Sequence, residues 1–116
     1  MNDTPPSPEA STATVRALND AFRQTFLGGT VVMTAAVTAL GRASQAEIIS
    51  QVRCYGEFNE ANDPFGEHDF GAFTLAGEKL FFKIDYYNRD MTAGSENPAD
   101  PRVTSRVLTI MCASDW

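Results

Sequence analysis

One histidine, one tryptophan and two cysteines are the whole stock of these residue types in this chain of 116 residues. His68 is the sole imidazole, and Cys54 and Cys112 are the sole thiols. A zinc site built on paired CxxC motifs is therefore excluded. Any Ser-His-Asp or Cys-His triad would have to use His68, and no spacing singles out a serine or a cysteine to join it. The sequence also lacks a P-loop, a Gly-rich dinucleotide turn after a strand and a nucleophile elbow, so no cofactor is expected. It lacks a run of about 18 apolar residues, so no membrane-spanning helix is expected. Met1 to Ala10 lacks the basic-then-apolar order of a secretory leader and is rich in Pro, Ser, Asp and Thr. It reads as a disordered tail through residue 11, followed by one cytoplasmic domain over residues 12–116. In that compartment both cysteines are expected as buried free thiols on helices.

Basic residues are scarce in one part of the chain. The net charge is −6. Residues 1–56 balance four acids against four arginines, and residues 101–116 carry +1. Residues 57–100 hold ten acids against Lys79, Lys83 and Arg89. The excess sits in the middle, where it repels phosphate. Direct nucleic-acid binding is not expected there, and a basic protein surface is the expected partner.

The apolar residues that are present recur with readable periods. Val15, Leu18, Phe22 and Phe26 form a helical stripe from about Thr12, with Arg16, Asn19, Asp20 and Arg23 facing away from it, and Gly28-Gly29 ends the helix. Thr30 to Thr34 reads as a strand, and Ala35 to Gly41 as a helical turn or an irregular link. Ser44-Gln45-Ala46-Glu47 fits a capping box that opens a helix to about Tyr55. Asp69–Leu75 and Glu78–Tyr87 read as a hairpin closed at Ala76-Gly77. Its second strand places Leu80, Phe82, Ile84 and Tyr86 on one face and Phe81, Lys83, Asp85 and Tyr87 on the other. Asp100-Pro101 then opens a last helix to about Ala113, with Val103, Val107, Ile110 and Met111 inward. The fold class expected is α+β: a small, mostly antiparallel sheet with helices packed on one face, in the order α-β-α-β-β-α. The expected core is Leu18, Phe22, Val32, Ile48, Val52, Phe82, Ile84, Val107 and Ile110.

Two segments hold the candidate site residues. The loop Glu57–Asp69 carries Glu57, Glu60, Asp63, Glu67 and Asp69 with no lysine or arginine, and places His68 between two carboxylates. A histidine among carboxylates suits a divalent cation or acid–base chemistry. Alternation along a strand would turn His68 away from Glu67 and Asp69, so no metal site is expected. The bland alternative has His68 and Asp69 bonding loop backbone. In the second segment, Lys83, Asp85 and Tyr87 share one hairpin face, as an ion pair with tyrosine packing or as a recognition surface.

Leu18-Asn19-Asp20-Ala21-Phe22-Arg23, Asn62 to Gly71, Lys83-Ile84-Asp85-Tyr86-Tyr87, Asn97-Pro98-Ala99-Asp100-Pro101 and Arg106 to Met111 together resemble a family of small bacterial proteins known only as a domain of unknown function. The resemblance runs from Val15 to Trp116. It departs at Asn88, where the family pattern has aspartate, and at Trp116, where it has tyrosine. It implies an alphaproteobacterial chain of the kind carried on plasmids and other mobile elements, and it brings no activity.

The leading expectation is a non-catalytic protein-interaction module, an accessory or counter-defence protein of a mobile element. It would bind a basic partner through Glu57, Glu60, Asp63, Glu67, His68, Asp69, Asp85, Tyr86 and Tyr87. The alternatives are a small enzyme or metal-dependent protein centred on His68, and a structural homodimer whose hairpin edge pairs with its copy.

Overall fold

The computed structural model describes residues 8–116. The expected tail lies outside the described residues up to residue 7. From there the chain is already helical, because α1 runs Pro8–Thr25 and not from Thr12. Proline suits a first helical position, where its missing N–H would have had no partner. Phe26 then turns left-handed (φ 60°) and Gly28 follows (φ 96°), so α1 stops. β1 is Thr30–Met33, and the ambiguous segment after it is a single helical turn, α2, at Ala35–Thr38. α3 spans Arg42–Arg53 and starts two residues before the expected capping box, with Gly41 as N-cap and no side-chain cap. After a loop come β2 (Phe70–Leu75) and β3 (Glu78–Tyr87). Ala76 (φ 52°) and Gly77 (φ 83°) join them. Two positive φ values in a two-residue loop make a type I′ turn, whose twist matches that of the strands.

The last helix of the sequence reading is absent. Ser105–Cys112 is a strand, β4, and only Ala113–Asp115 forms a short 3₁₀ turn. Asp100-Pro101 makes a loop instead of a helix start. The Asp100 carboxylate accepts the Arg102 N–H at 2.9 Å and pairs with its guanidinium at 3.0 Å. Arg106, Leu108, Ile110 and Cys112 are all buried, while Val107 and Thr109 between them are half-buried. That is a strand's period of two, and the β-branched residues of the segment suit it.

The sheet order is β1-β4-β3-β2. β4 is central, antiparallel to β3 and parallel to β1, and β2 pairs antiparallel with β3. The fold is thus α+β with a four-stranded mixed sheet. All three helices contribute to one core: Phe22, Val37, Ile48 and Val52 meet Leu80, Phe82, Ile84, Leu108 and Ile110. Three expected core residues lie outside the core cluster. Val32 is 41% exposed, and its neighbour Val31 packs on the core in its place. Val107 alternates onto the far face of β4, and Leu18 is half-buried. Gly71 has no room for a side chain. A Cβ there would stand 2.3 Å from the Phe82 ring and 2.7 Å from that of Tyr55. Cys112 is buried as expected, but Cys54 caps α3 and is exposed, and neither forms a disulfide. Among the described residues no helix is long and apolar enough to cross a membrane.

Candidate functional site

Two polar surfaces bear on function: a clasp between α1 and the acidic loop, and the uncovered face of the sheet. The clasp begins with α1. Arg16, Asn19, Asp20 and Arg23 follow one another at helical spacing, and the sequence reading turned them to solvent. The structure turns them to the loop, to the end of α3 and to the inner strands β3 and β4. Asn19 is fully buried and Arg23 is 2% exposed. The Arg16 guanidinium donates to the Gly66 carbonyl at 2.9 Å. The Asn19 amide donates to the Glu67 carbonyl (3.0 Å) and the Tyr86 hydroxyl (2.7 Å), and its oxygen accepts from Arg106 Nε (2.8 Å). The Tyr86 hydroxyl donates onward to the Glu67 carboxylate at 3.1 Å. Arg106 lies over the Tyr86 ring, 5.3 Å from its centroid. Burial pushes the Tyr86 phenol far above its usual range, so it stays neutral and can keep donating. Burial also lowers the pKa of Arg23 and Arg106.

His68 sits in the second half of the clasp. It precedes β2 and has φ 56°, so the strand alternation assumed from sequence does not apply to it. Its Nδ1 lies 2.8 Å from the Asp20 carboxylate and its Nε2 is 3.7 Å from that of Asp63. Its ring stacks on Phe58 at 3.9 Å with 5° between the planes. Its backbone N–H donates to the Asp63 carboxylate. Arg23 ties Asp20 to the end of α3, donating to Asp20 (3.0 Å), to the Val52 carbonyl (3.2 Å) and to the Tyr55 carbonyl (3.0 Å). Both imidazole nitrogens therefore face carboxylates of the protein itself. Among the described residues no group of three or more His, Cys, Asp and Glu side chains is placed to hold a metal ion.

The acidic loop is thus not one exposed patch. Glu57 and Glu60 are exposed, Asp63 is buried, and Glu67 and Asp69 are half-buried. Burial, then the neighbouring Glu67 carboxylate, raises the pKa of Asp69. Tyr86 belongs to the clasp, whereas Asp85 and Tyr87 stand on the opposite face of the sheet. The sequence reading missed Asn19, Asp20, Arg23 and Arg106. The readable signal was a loop rich in acids with no cation of its own, which needed donors from elsewhere in the chain.

The other sheet face carries no helix among the described residues. Cross-strand partners share it: Phe81 with Met111, Lys83 with Thr109, Asp85 with Val107, and Tyr87 with Ser105. The Lys83 ammonium pairs with Asp85 at 3.2 Å. At one end Trp116 packs edge-on against Phe70 (5.7 Å) and Phe81 (5.8 Å) yet remains 72% exposed. Asp115 fixes this end by accepting from the Thr34 hydroxyl (2.7 Å) and the Cys112 N–H (3.0 Å). The result is a trough of about 470 Å³ lined by Thr34, Lys83, Asp85, Tyr87, Thr109, Met111, Asp115 and Trp116.

Comparison with known proteins gives a family and no activity. The chain belongs to the family described as a protein of unknown function, DUF3768, whose model matches residues 33–115. No curated protein matches the chain, and no solved structure does. The match covers the α3–loop–hairpin–β4 unit and so takes in His68, Tyr86, Arg106 and most of the open face.

Proposed function

We propose that this chain is a cytoplasmic, non-catalytic protein-interaction module that binds a basic partner through the open face of its sheet. One observation carries the reading. One face of the sheet carries no α-helix among the described residues, while Phe70, Phe81 and Trp116 gather at one end of it and Tyr87 stands near the other. Aromatic side chains give large contact areas for few frozen torsions, and interfaces are enriched in them. Charge supports the sign of the partner. Lys83 and Asp85 of the trough pair with each other, Asp115 leaves its lining with a net negative charge, and Glu57 and Glu60 add to the acidic field from exposed positions. Such a field speeds encounter with a basic surface and weakens as salt rises.

An accessory or counter-defence role on a mobile element belongs to the same proposal. Its support is the family resemblance in the sequence. The reading of His68 as a catalytic or metal centre has less support, because its Nδ1 is bonded to the Asp20 carboxylate and its ring is stacked on Phe58. That arrangement holds the loop against α1.

Site-directed photo-crosslinking in a native host tests the proposal. A photoreactive residue at Thr109, in the trough, should capture a basic protein, and one at the exposed Glu47 of α3 should not. Trp116→Ala in the Thr109 background should remove most of the capture. Equal capture from both positions would overturn the proposal. Capture from Thr109 of nothing but a second copy of this chain would assign the face to a homodimer instead.

A further inference from the structure

The sheet ends on one side in β2, whose outer edge presents a defined set of backbone groups. β2 pairs with β3 residue for residue, from Phe70↔Lys83 to Leu75↔Glu78, without a bulge. The Ile84 N–H donates to the Asp69 carbonyl at 2.8 Å. In an antiparallel pair, bonded residues alternate with unbonded ones. Gly71, Phe73 and Leu75 therefore direct their N–H and C=O groups to β3, and Phe70, Ala72 and Thr74 direct theirs away from it. Among the described residues these three have no backbone partner on the outer side. The Ala72 N–H meets only the Tyr55 hydroxyl, at 3.5 Å, which is too long for a strong bond. Sheet edges are commonly blunted by lysine, proline, a bulge or short length. Phe70–Leu75 is six residues long and holds no charge and no proline. The other edge is shorter. β1 has four residues, and because the Thr34 N–H donates to the Ile110 carbonyl, only Val31 and Met33 face outward there.

The surroundings of the β2 edge set the sign of what fits it. The Asn62 amide donates to the Glu57 carbonyl at 2.8 Å and lies 3.5 Å from the Tyr55 hydroxyl, so the acidic loop runs beside Ala72. Glu57 and Glu60 are exposed and form no ion pair among the described residues. Asp69, at the head of the strand, forms none either, and burial together with the carboxylates of Glu67, Asp63 and Asp85 raises its pKa. On the open face, the Phe70 ring lies 5.3 Å from that of Phe81 and 5.7 Å from that of Trp116. We infer that the β2 edge takes an extended basic segment of the partner protein as a fifth strand of the sheet. Cross-strand neighbours share a face, so every second residue of the added strand lies on the open face beside Phe70, where apolar side chains fit. The residues between them lie on the side of the acidic loop, where lysine and arginine fit. Charge also decides against a second copy of this chain. Pairing two β2 edges about Ala72 would set one acidic loop against another. The inference rests on the basic-partner reading, and it adds a strand contact at the border of the open face.

Amide hydrogen exchange of the ¹⁵N-labelled full chain, with and without a blocked peptide of four lysine–valine repeats, tests the inference. In the free chain the Phe70 and Thr74 amides should exchange fast, and those of Gly71, Phe73 and Leu75 slowly. Saturating peptide should slow the outward amides about tenfold or more. A glutamate–valine peptide should not protect them, and neither should a lysine–proline peptide, which has the same charge but lacks half the donors of a strand. Ala72→Pro removes an outward N–H and no bond to β3, and it should weaken the lysine–valine peptide about tenfold or more by calorimetry. Thr74→Pro, at the next outward position, replaces it if Ala72→Pro loses the native circular dichroism. Unchanged exchange at the outward amides, equal binding of the lysine–proline peptide, or wild-type affinity in a folded proline variant would overturn the inference. Protection in the free chain that rises with protein concentration would also overturn it, by assigning the edge to a second copy. Equal capture of the basic protein from Thr109 in wild type and in the proline variant would leave the open-face reading standing and overturn the added strand alone.

Discussion

Asn19→Ala removes the one side chain that joins α1, the acidic loop, β3 and β4. Three hydrogen bonds disappear with it: two donated, to Glu67 and Tyr86, and one accepted from Arg106. The Arg106 loss dominates. A charged donor in a nearly dry setting is left without its acceptor, which costs about 1.5–3 kcal/mol. The Glu67 carbonyl and the Tyr86 hydroxyl lose neutral partners, at about 1 kcal/mol each, and Tyr86 keeps its bond to the Glu67 carboxylate. Alanine's better helix propensity returns about 0.5 kcal/mol. The net loss is about 3–4.5 kcal/mol, which lowers the melting temperature by at least about 12 °C in a domain of this size. Urea unfolding at pH 7, followed by far-UV circular dichroism, measures it. A double-mutant cycle with Tyr86→Phe should show a coupling of about 0.5–1.5 kcal/mol. A loss below about 1 kcal/mol in Asn19→Ala, or no coupling to Tyr86, would refute the clasp as a structural unit.

Phe82→Ala should cost about 3–5 kcal/mol in the same assay, because the ring is fully buried beneath Gly71 and Tyr55. A cost under about 1 kcal/mol would mean that the inward face of β3 is misassigned. Asp69→Asn should stabilise the protein at pH 7. The folded-state pKa of Asp69 is raised, so its contribution to stability is fully present below the unfolded value of about 3.9 and is lost as pH rises through the folded value. Wild type and variant should therefore converge in acid and diverge toward neutral pH, and urea unfolding at several pH values would expose the opposite trend if the sign is wrong. A thiol reagent should label Cys54 rapidly in the native protein and spare Cys112, whose thiol burial pushes up. Mass spectrometry showing two labels under native conditions would contradict this.

The hairpin was legible in the sequence because alternation and a turn pair agree. Leu80, Phe82 and Ile84 are buried, Lys83 and Asp85 pair on the other side, and Ala76-Gly77 closes the turn. The stripes of α1 and α3 were legible through Phe22, Ile48 and Val52 for the same reason. β4 was not, since Val103, Val107, Ile110 and Met111 fit a helical spacing as well as Arg106, Leu108, Ile110 and Cys112 fit a strand. Pairing on both edges decided for the strand, and pairing is invisible in a single segment. The clasp was hidden by a different rule. Asn19, Arg23 and Arg106 are polar residues, and polarity alone assigns them to solvent. Only the folded chain reveals that their partners are carbonyls and polar side chains of the protein itself. His68 escaped the alternation argument because its left-handed backbone lies outside the strand.

The claim that the uncovered sheet face is the binding surface is tested most directly by amide chemical-shift mapping of the ¹⁵N-labelled chain against the basic protein crosslinked from Thr109. The shifts should concentrate on Phe81, Asp85, Tyr87 and Thr109 and on the indole N–H of Trp116, the single tryptophan of the sequence. They should fade as salt rises. Shifts confined to the loop around Glu57 and Glu60 or to α3, with the Trp116 indole unmoved, would contradict the account.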